Sequence, residues 1–100
     1  MVEKFTRFDA AEFLETDEDV AFFLSDALES GNQAFINRAI GSVARAKGMT
    51  AIAKQSGIKR EALYKALSET GNPQFKTVME VMKAMGLRLS VLPAKTDTAA

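Results

Sequence analysis

Residues 50–67 read T-A-I-A-K-Q-S-G-I-K-R-E-A-L-Y-K-A-L, and this stretch decides the fold. Two short segments of helical period meet at one glycine. Thr50 is placed to cap a first helix over AIAKQS, and Gly57 stops that helix by supplying a positive φ that side chains resist. Ala53 is small where a second helix has to approach closely. Ile58 plugs the joint. The second helix covers roughly residues 60–68, with Leu63 and Leu67 turned inward and Ala62 and Ala66 small. A small residue, a glycine and an apolar plug at these offsets are what two helices need to cross at about 90–120° through a turn of about three or four residues. The spacing predicts a helix-turn-helix over residues 50–68.

Once Ile58, Leu63 and Leu67 fix the inner side, the period puts Lys59, Arg60, Glu61, Tyr64, Lys65 and Ser68 outside. Lys59, Arg60 and Glu61 stand at the N-terminal end, which in such motifs points into the major groove. Arg60 carries the fork that fits guanine O6 and N7, and Glu61 accepts from cytosine N4. Lys65 reaches the next base or a phosphate, and Tyr64 packs on a sugar or a thymine methyl. Backbone amides after Thr50 make one anion site, and those around Asn72, Gln74 and Phe75 a second. Lys54 and Lys76 add positive charge for phosphates. The same residues also suit a merely soluble surface helix, and Tyr64 suits a helix–helix contact. At this point both readings stand.

Outward from the motif, helical signals dominate. Upstream, residues 33–47 place Phe35, Ile36, Ala39, Ile40, Val43 and Ala44 at helical spacing, with Asn32 as cap and Gly48 as stop. Before it, Thr16 followed by Asp17, Glu18 and Asp19 opens another helix, closed at Gly31. Its inner stripe is Val20, Phe23, Leu24, Ala27 and Leu28. Asp9 caps a shorter helix over AAEFL, with Phe13 and Leu14 inward. Downstream, Gly71-Asn72-Pro73 makes a turn, and a helix over 75–85 offers Phe75, Val78, Met79, Val81, Met82 and Met85 before Gly86 closes it. The period then changes. Leu87, Leu89 and Val91 alternate with Arg88, Ser90 and Leu92, which predicts a short strand over 87–92 stopped by Pro93. A lone strand leaves its backbone unpaired, and the chain offers no second candidate. The expectation is pairing with the same strand of a second copy, which makes Leu87, Leu89 and Val91 dimerisation residues. The alternative is an extended tail lying on the helices. Residues 94–100 read as a frayed end.

With 100 residues, 47% hydrophobic and 26% charged, the chain has the makings of one folded domain, over 1–93. It contains no Cys, His or Trp. Disulfides, Cys or His metal sites, His bases and Cys nucleophiles are thereby excluded, so neither an enzyme nor a cofactor is expected. No apolar run approaches the roughly 20 residues of a membrane span. The opening MVEKFTRFDAAEF carries acids where a signal peptide carries an apolar core, so the expected location is the cytoplasm. The formal net charge of zero hides a split. Residues 1–31 hold nine acids and two bases, and residues 32–100 hold eleven bases and four acids. Such a split fits two partners of opposite sign, or two plainly solvated surfaces.

The stretch GMTAIAKQSGIKREALYKALSETGNPQFKTVMEVMKAMGLRLSV resembles the antidote proteins of HigA-like addiction modules, a branch of the Xre/lambdoid-repressor helix-turn-helix superfamily. The likeness covers roughly residues 5–92 and is strongest from Gly48 on. It implies an all-α, five-helix, lambda-repressor-like DNA-binding domain that dimerises. It also implies an antitoxin that neutralises a basic, RelE-like toxin and represses its own operon by binding double-stranded operator DNA. By resemblance, Lys59, Arg60, Glu61 and Lys65 read bases, and the helix starts at Thr50 and 72–75 hold phosphate. Phage repressors often carry Gln at the reading positions where Arg60 and Glu61 stand here, so the operator sequence does not transfer. The candidate toxin surface is the acidic segment 9–29, whose charges are equally accounted for as a solvated face. Two other readings remain: an Xre-type regulator without a toxin, and a helical module that binds only protein.

Overall fold

A computed structural model describes residues 14–94. They form α1 (Asp17–Glu29), α2 (Gln33–Lys47), α3 (Met49–Ser56), α4 (Arg60–Ala66) and α5 (Phe75–Ala84). The all-α expectation is met across this span. The short helix expected over AAEFL, Phe13 with it, and the end of the chain from residue 95 lie outside the described residues.

α1 starts where the sequence places it. The Asp19 backbone N–H donates to Thr16 Oγ1 at 3.0 Å, and the Thr16 N–H donates back to the Asp19 carboxylate at 3.3 Å. This reciprocal box satisfies two amides that the first turn would otherwise leave unpaired. Val20, Leu24 and Ala27 are buried against α2, and Phe23 is partly covered. Leu28, expected inside, is 43% exposed. It sits at the margin of the stripe in the last turn, where α1 is running out of partner.

Asn32 caps α2 by accepting from the Phe35 N–H at 2.9 Å. Ala39, Ile40, Val43 and Ala44 then form the middle of the core, with α1 on one side and α3 on the other. Phe35, one of the residues at apolar helical spacing, is half open to solvent because it lies in the first turn of α2, ahead of those buried positions. Gly48 joins α2 to α3 without a linker. Its N–H donates to the carbonyls of Ala44 and Arg45, and its own carbonyl accepts from Ile52. Thr50 is therefore not a cap. α3 begins at Met49, two residues before the expected start at Ala51, with the Met49 side chain buried in the core.

α3 packs on α5 and on α4, completing one core around Ile52, Leu63, Leu67, Val81, Met82 and Met85. Regular helix in α4 ends at Ala66, with Leu67 as its cap, two residues short of the expected Ser68. α5 shows two of its apolar positions, Phe75 and Met79, to solvent, Phe75 at 70% exposure. Phe75 is the first residue of α5, and Met79 lies one turn on at the margin of the stripe formed by Val78, Val81, Met82 and Met85. The end of α5 is closed by a pair of bonds, Gly86 N–H to the Lys83 carbonyl at 3.0 Å and Leu87 N–H to the Met82 carbonyl at 2.9 Å. They fold Leu87 back onto the core.

Beyond Leu87 the chain has no regular secondary structure up to residue 94, and no strand occurs among the described residues. The strand expected over 87–92 is thus absent, and the described residues offer no second strand with which it could pair. Leu89, Val91 and Leu92 are exposed, Val91 at 92%.

Candidate nucleic-acid interface

The joint between α3 and α4 is bonded within itself. Gly57 adopts a left-handed conformation with φ 78°, and its N–H donates to the Ala53 carbonyl at 2.9 Å. No atom crowds the place where its Cβ would stand, so glycine is needed there for backbone conformation, not for space. Ser56 Oγ accepts from the Ile58 N–H at 3.2 Å, which ties the residue after the glycine to the helix before it. Ile58 packs against the core as the plug the spacing predicts, and Ala53 is partly buried beside it.

α4 is then gripped from below. Leu63 is fully buried and Leu67 nearly so. On the opposite side Lys59, Arg60, Glu61, Tyr64 and Lys65 are all exposed. The Arg60 guanidinium lies over the Tyr64 ring, 5.5 Å from its centroid, and Arg60 Nη2 donates to Tyr64 Oη at 3.5 Å. This pair gives α4 an ordered cationic end rather than two independent side chains. Of the remaining candidates, Lys54, Asn72, Gln74 and Lys76 are exposed, and so is Thr50, within the first turn of α3. Ser68 differs: it is partly buried, and its hydroxyl donates to the Lys65 carbonyl at 2.9 Å, closing the end of α4. At the N-termini, side chains cap α1 and α2, whereas none caps α3, α4 or α5.

One polar residue of this region escaped the sequence reading. Asn37, in the middle of α2, has no exposed surface. Its Nδ2 donates to the Ser68 carbonyl at 2.9 Å and to the Gly71 carbonyl at 2.8 Å, while its Oδ1 accepts from Gln33 Nε2 at 2.9 Å. Next to it Arg38 pairs with Glu69 at 2.7 Å. Gly71 lies so close to the end of α4 that a Cβ there would run into the carbonyl oxygens of Ala66 and Lys65. A signal did exist. Asn37 falls three residues before Ile40 and seven before Ala44, on the apolar stripe itself.

A family described as "probable addiction module antidote protein" matches residues 4–93. The chain belongs to this family of antidote proteins. A Haemophilus influenzae (strain Rd) protein, described only as uncharacterized, is 48% identical over 91 residues, which cover 91% of this chain and 94% of its own. No solved structure matches the chain. Membership in the antidote family implies an antitoxin role, with a toxin as partner and regulation rather than catalysis as its business. Among the described residues of this antidote protein, no helix is long and apolar enough to cross a membrane.

Proposed function

We propose that this antidote protein is a dimeric, sequence-specific DNA-binding antitoxin that neutralises a RelE-like toxin and represses its own operon. The observation that carries the reading is α4. A short helix buried on one side through Leu63 and Leu67 presents Lys59, Arg60, Glu61, Tyr64 and Lys65 together on the other. In a lambda-repressor-like arrangement that side enters the major groove. Arg60 offers its fork to guanine, Glu61 accepts from cytosine, and Lys65 reaches a neighbouring base or phosphate. The starts of α3, with Thr50 in its first turn, and of α5, after Gln74, carry no side-chain cap and supply amides for phosphates, with Lys54, Lys76 and Asn72 beside them. Ser68 acts as a helix closure next to this surface.

Two copies are needed to read two half-sites about 34 Å apart. The exposed apolar residues Leu89 and Val91 favour strand pairing across a two-fold axis, with Leu87 anchoring each strand to its own core. The toxin surface is placed on α1 and the segment before it. Asp17, Glu18, Asp19, Asp26 and Glu29 are all exposed there, and Phe22 stands among them at 77% exposure. An acidic face with an aromatic at its centre suits a basic protein partner.

The test is a duplex enriched by the protein from a random pool. Binding should weaken steeply with salt, log K falling by about 0.9 per log unit of salt for each phosphate contact. Arg60→Ala should cost about 1–3 kcal/mol and relax the preference at one base position. Unchanged shifts with both Arg60→Ala and Lys59→Ala would remove α4 from the groove. For the toxin arm, the chain is co-expressed with the product of the adjacent reading frame. Co-purification that is lost on Phe22→Lys is the expected result, and retention would move the toxin site elsewhere.

A further inference from the structure

The side chains of Leu63 and Leu67 hold α4 down by apolar burial, and that force is non-directional. It fixes how deep the helix lies but leaves its roll and tilt weakly determined. Hydrogen bonds are directional, and two sets of side-chain bonds tie the far end of α4 to α2: the exposed Arg38–Glu69 pair, open to solvent screening, and the buried bonds of Asn37. At the near end α4 is joined to α3 through Gly57. At the far end the segment 67–71 makes a tight turn, with the Gly71 N–H donating to the Ser68 carbonyl at 3.0 Å. Asn37 Nδ2 holds both carbonyls of that turn, Ser68 and Gly71, in a single amide group. Two carbonyl oxygens at hydrogen-bond distance require donors, so the orientation of the amide is settled by its partners. Its oxygen is fixed in turn by Gln33.

We propose that Asn37 is a positioning residue for DNA reading: through the turn at 68–71 it sets the angle at which α4 presents Arg60, Glu61, Tyr64 and Lys65. The proposal rests on the DNA-binding reading of α4 and adds to it a residue that touches no base. Base reading tolerates little error, because a side chain has to stand within about 0.5 Å and about 10–20° of its productive geometry. Phosphate contacts are forgiving by comparison, since charge attraction falls off slowly and flexible lysines follow the backbone. Loss of Asn37 should therefore reduce discrimination between sequences more than it reduces attachment to DNA as such.

A residue that merely stabilised the fold would behave differently. Lowering the folded fraction weakens binding to every duplex by the same factor and leaves the ratio of specific to non-specific affinity untouched. The experiment measures that ratio by fluorescence anisotropy, on a duplex enriched from a random pool by the wild-type protein and on a scrambled duplex of equal length and composition. Asn37→Asp removes both donors and sets a carboxylate oxygen against two carbonyl oxygens. It should lower the ratio about tenfold, the size of one misplaced base contact, with scrambled-duplex affinity little changed. Should Asn37→Asp fail to fold, Gln33→Ala decides. Position 33 is exposed, the variant removes only the bond that Asn37 Oδ1 accepts and so loosens the amide, and a loss of about threefold is expected. A ratio within about twofold of wild type in the folded variant, or a parallel fall in both affinities, overturns the proposal. If the wild-type protein enriches no duplex, the DNA-binding reading fails and takes the proposal with it. A selective wild type with equally selective variants removes the role of Asn37 alone.

Discussion

Arg60 and Tyr64 stand one turn apart on α4, and the guanidinium-over-ring contact between them makes Tyr64 more than a surface aromatic. Such a contact at an exposed site is worth about 0.5–1 kcal/mol. A double-mutant cycle on unfolding free energy with Arg60→Ala and Tyr64→Ala should return a coupling of about that size, and Tyr64→Phe, which keeps the ring face, should retain most of it. Beneath them, Leu63 is fully enclosed. Leu63→Ala should destabilise the domain by about 2–5 kcal/mol in urea unfolding, because a closed core relaxes only partly around the cavity. Residue-scale legibility followed from how local the cause is. Gly57 was legible because a left-handed turn has few other occupants. Asn32 and Thr16 were legible because a cap needs only its own next three residues. Thr50 was misread as a cap because the start of α3 at Met49 goes with burial of that side chain, a tertiary effect. Asn37 was missed because its partners lie 31 and 34 residues away.

Helical period located each described element, and its limits show at the margins of the stripes. Leu28, Phe35, Phe75 and Met79 all satisfy the apolar spacing and are nevertheless open to water. Period tells which residues share a side of a helix. Whether a neighbour covers the whole width of that side depends on how far the next helix extends. The residues on α4 proposed to read DNA were legible for the converse reason, since Leu63 and Leu67 fix the inside so firmly that the outside follows. At this scale the capping box of α1 makes a clean test. Thr16→Ala should cost about 0.5–2 kcal/mol and lower the melting temperature. The effect should appear in thermal denaturation followed by far-ultraviolet circular dichroism, without altering DNA affinity, because α1 lies outside the proposed interface.

For the whole molecule, the division of charge became physical once the helices were in place. The acids of α1 line an exposed helix, and the bases of α4 line another, with the α2–α3 core between them. The all-α architecture of the described residues was legible, and so was membership in a family of addiction-module antidote proteins. Residues 87–92 have strand-like alternation but no regular structure, because β pairing needs a second strand and the described residues hold none; the proposed dimer would supply it. Val91→Lys together with Leu89→Lys should yield monomers by sedimentation velocity. Loss of the dimer should also abolish tight binding to a two-half-site duplex, while the helical spectrum of the domain stays intact.

The Gly48 corner has a consequence for which changes of length the chain can absorb. One residue there is both the final link of α2 and the first of α3. An added alanine at that corner would swing one helix by about 100° relative to the other and tear Val43 and Ile52 from a common layer. The junction at 30–32, with its own short turn, has slack to take up an extra unit. Deliberate lengthening of the two junctions should thus give opposite fates, a collapsed protein from the first and a native-like one from the second.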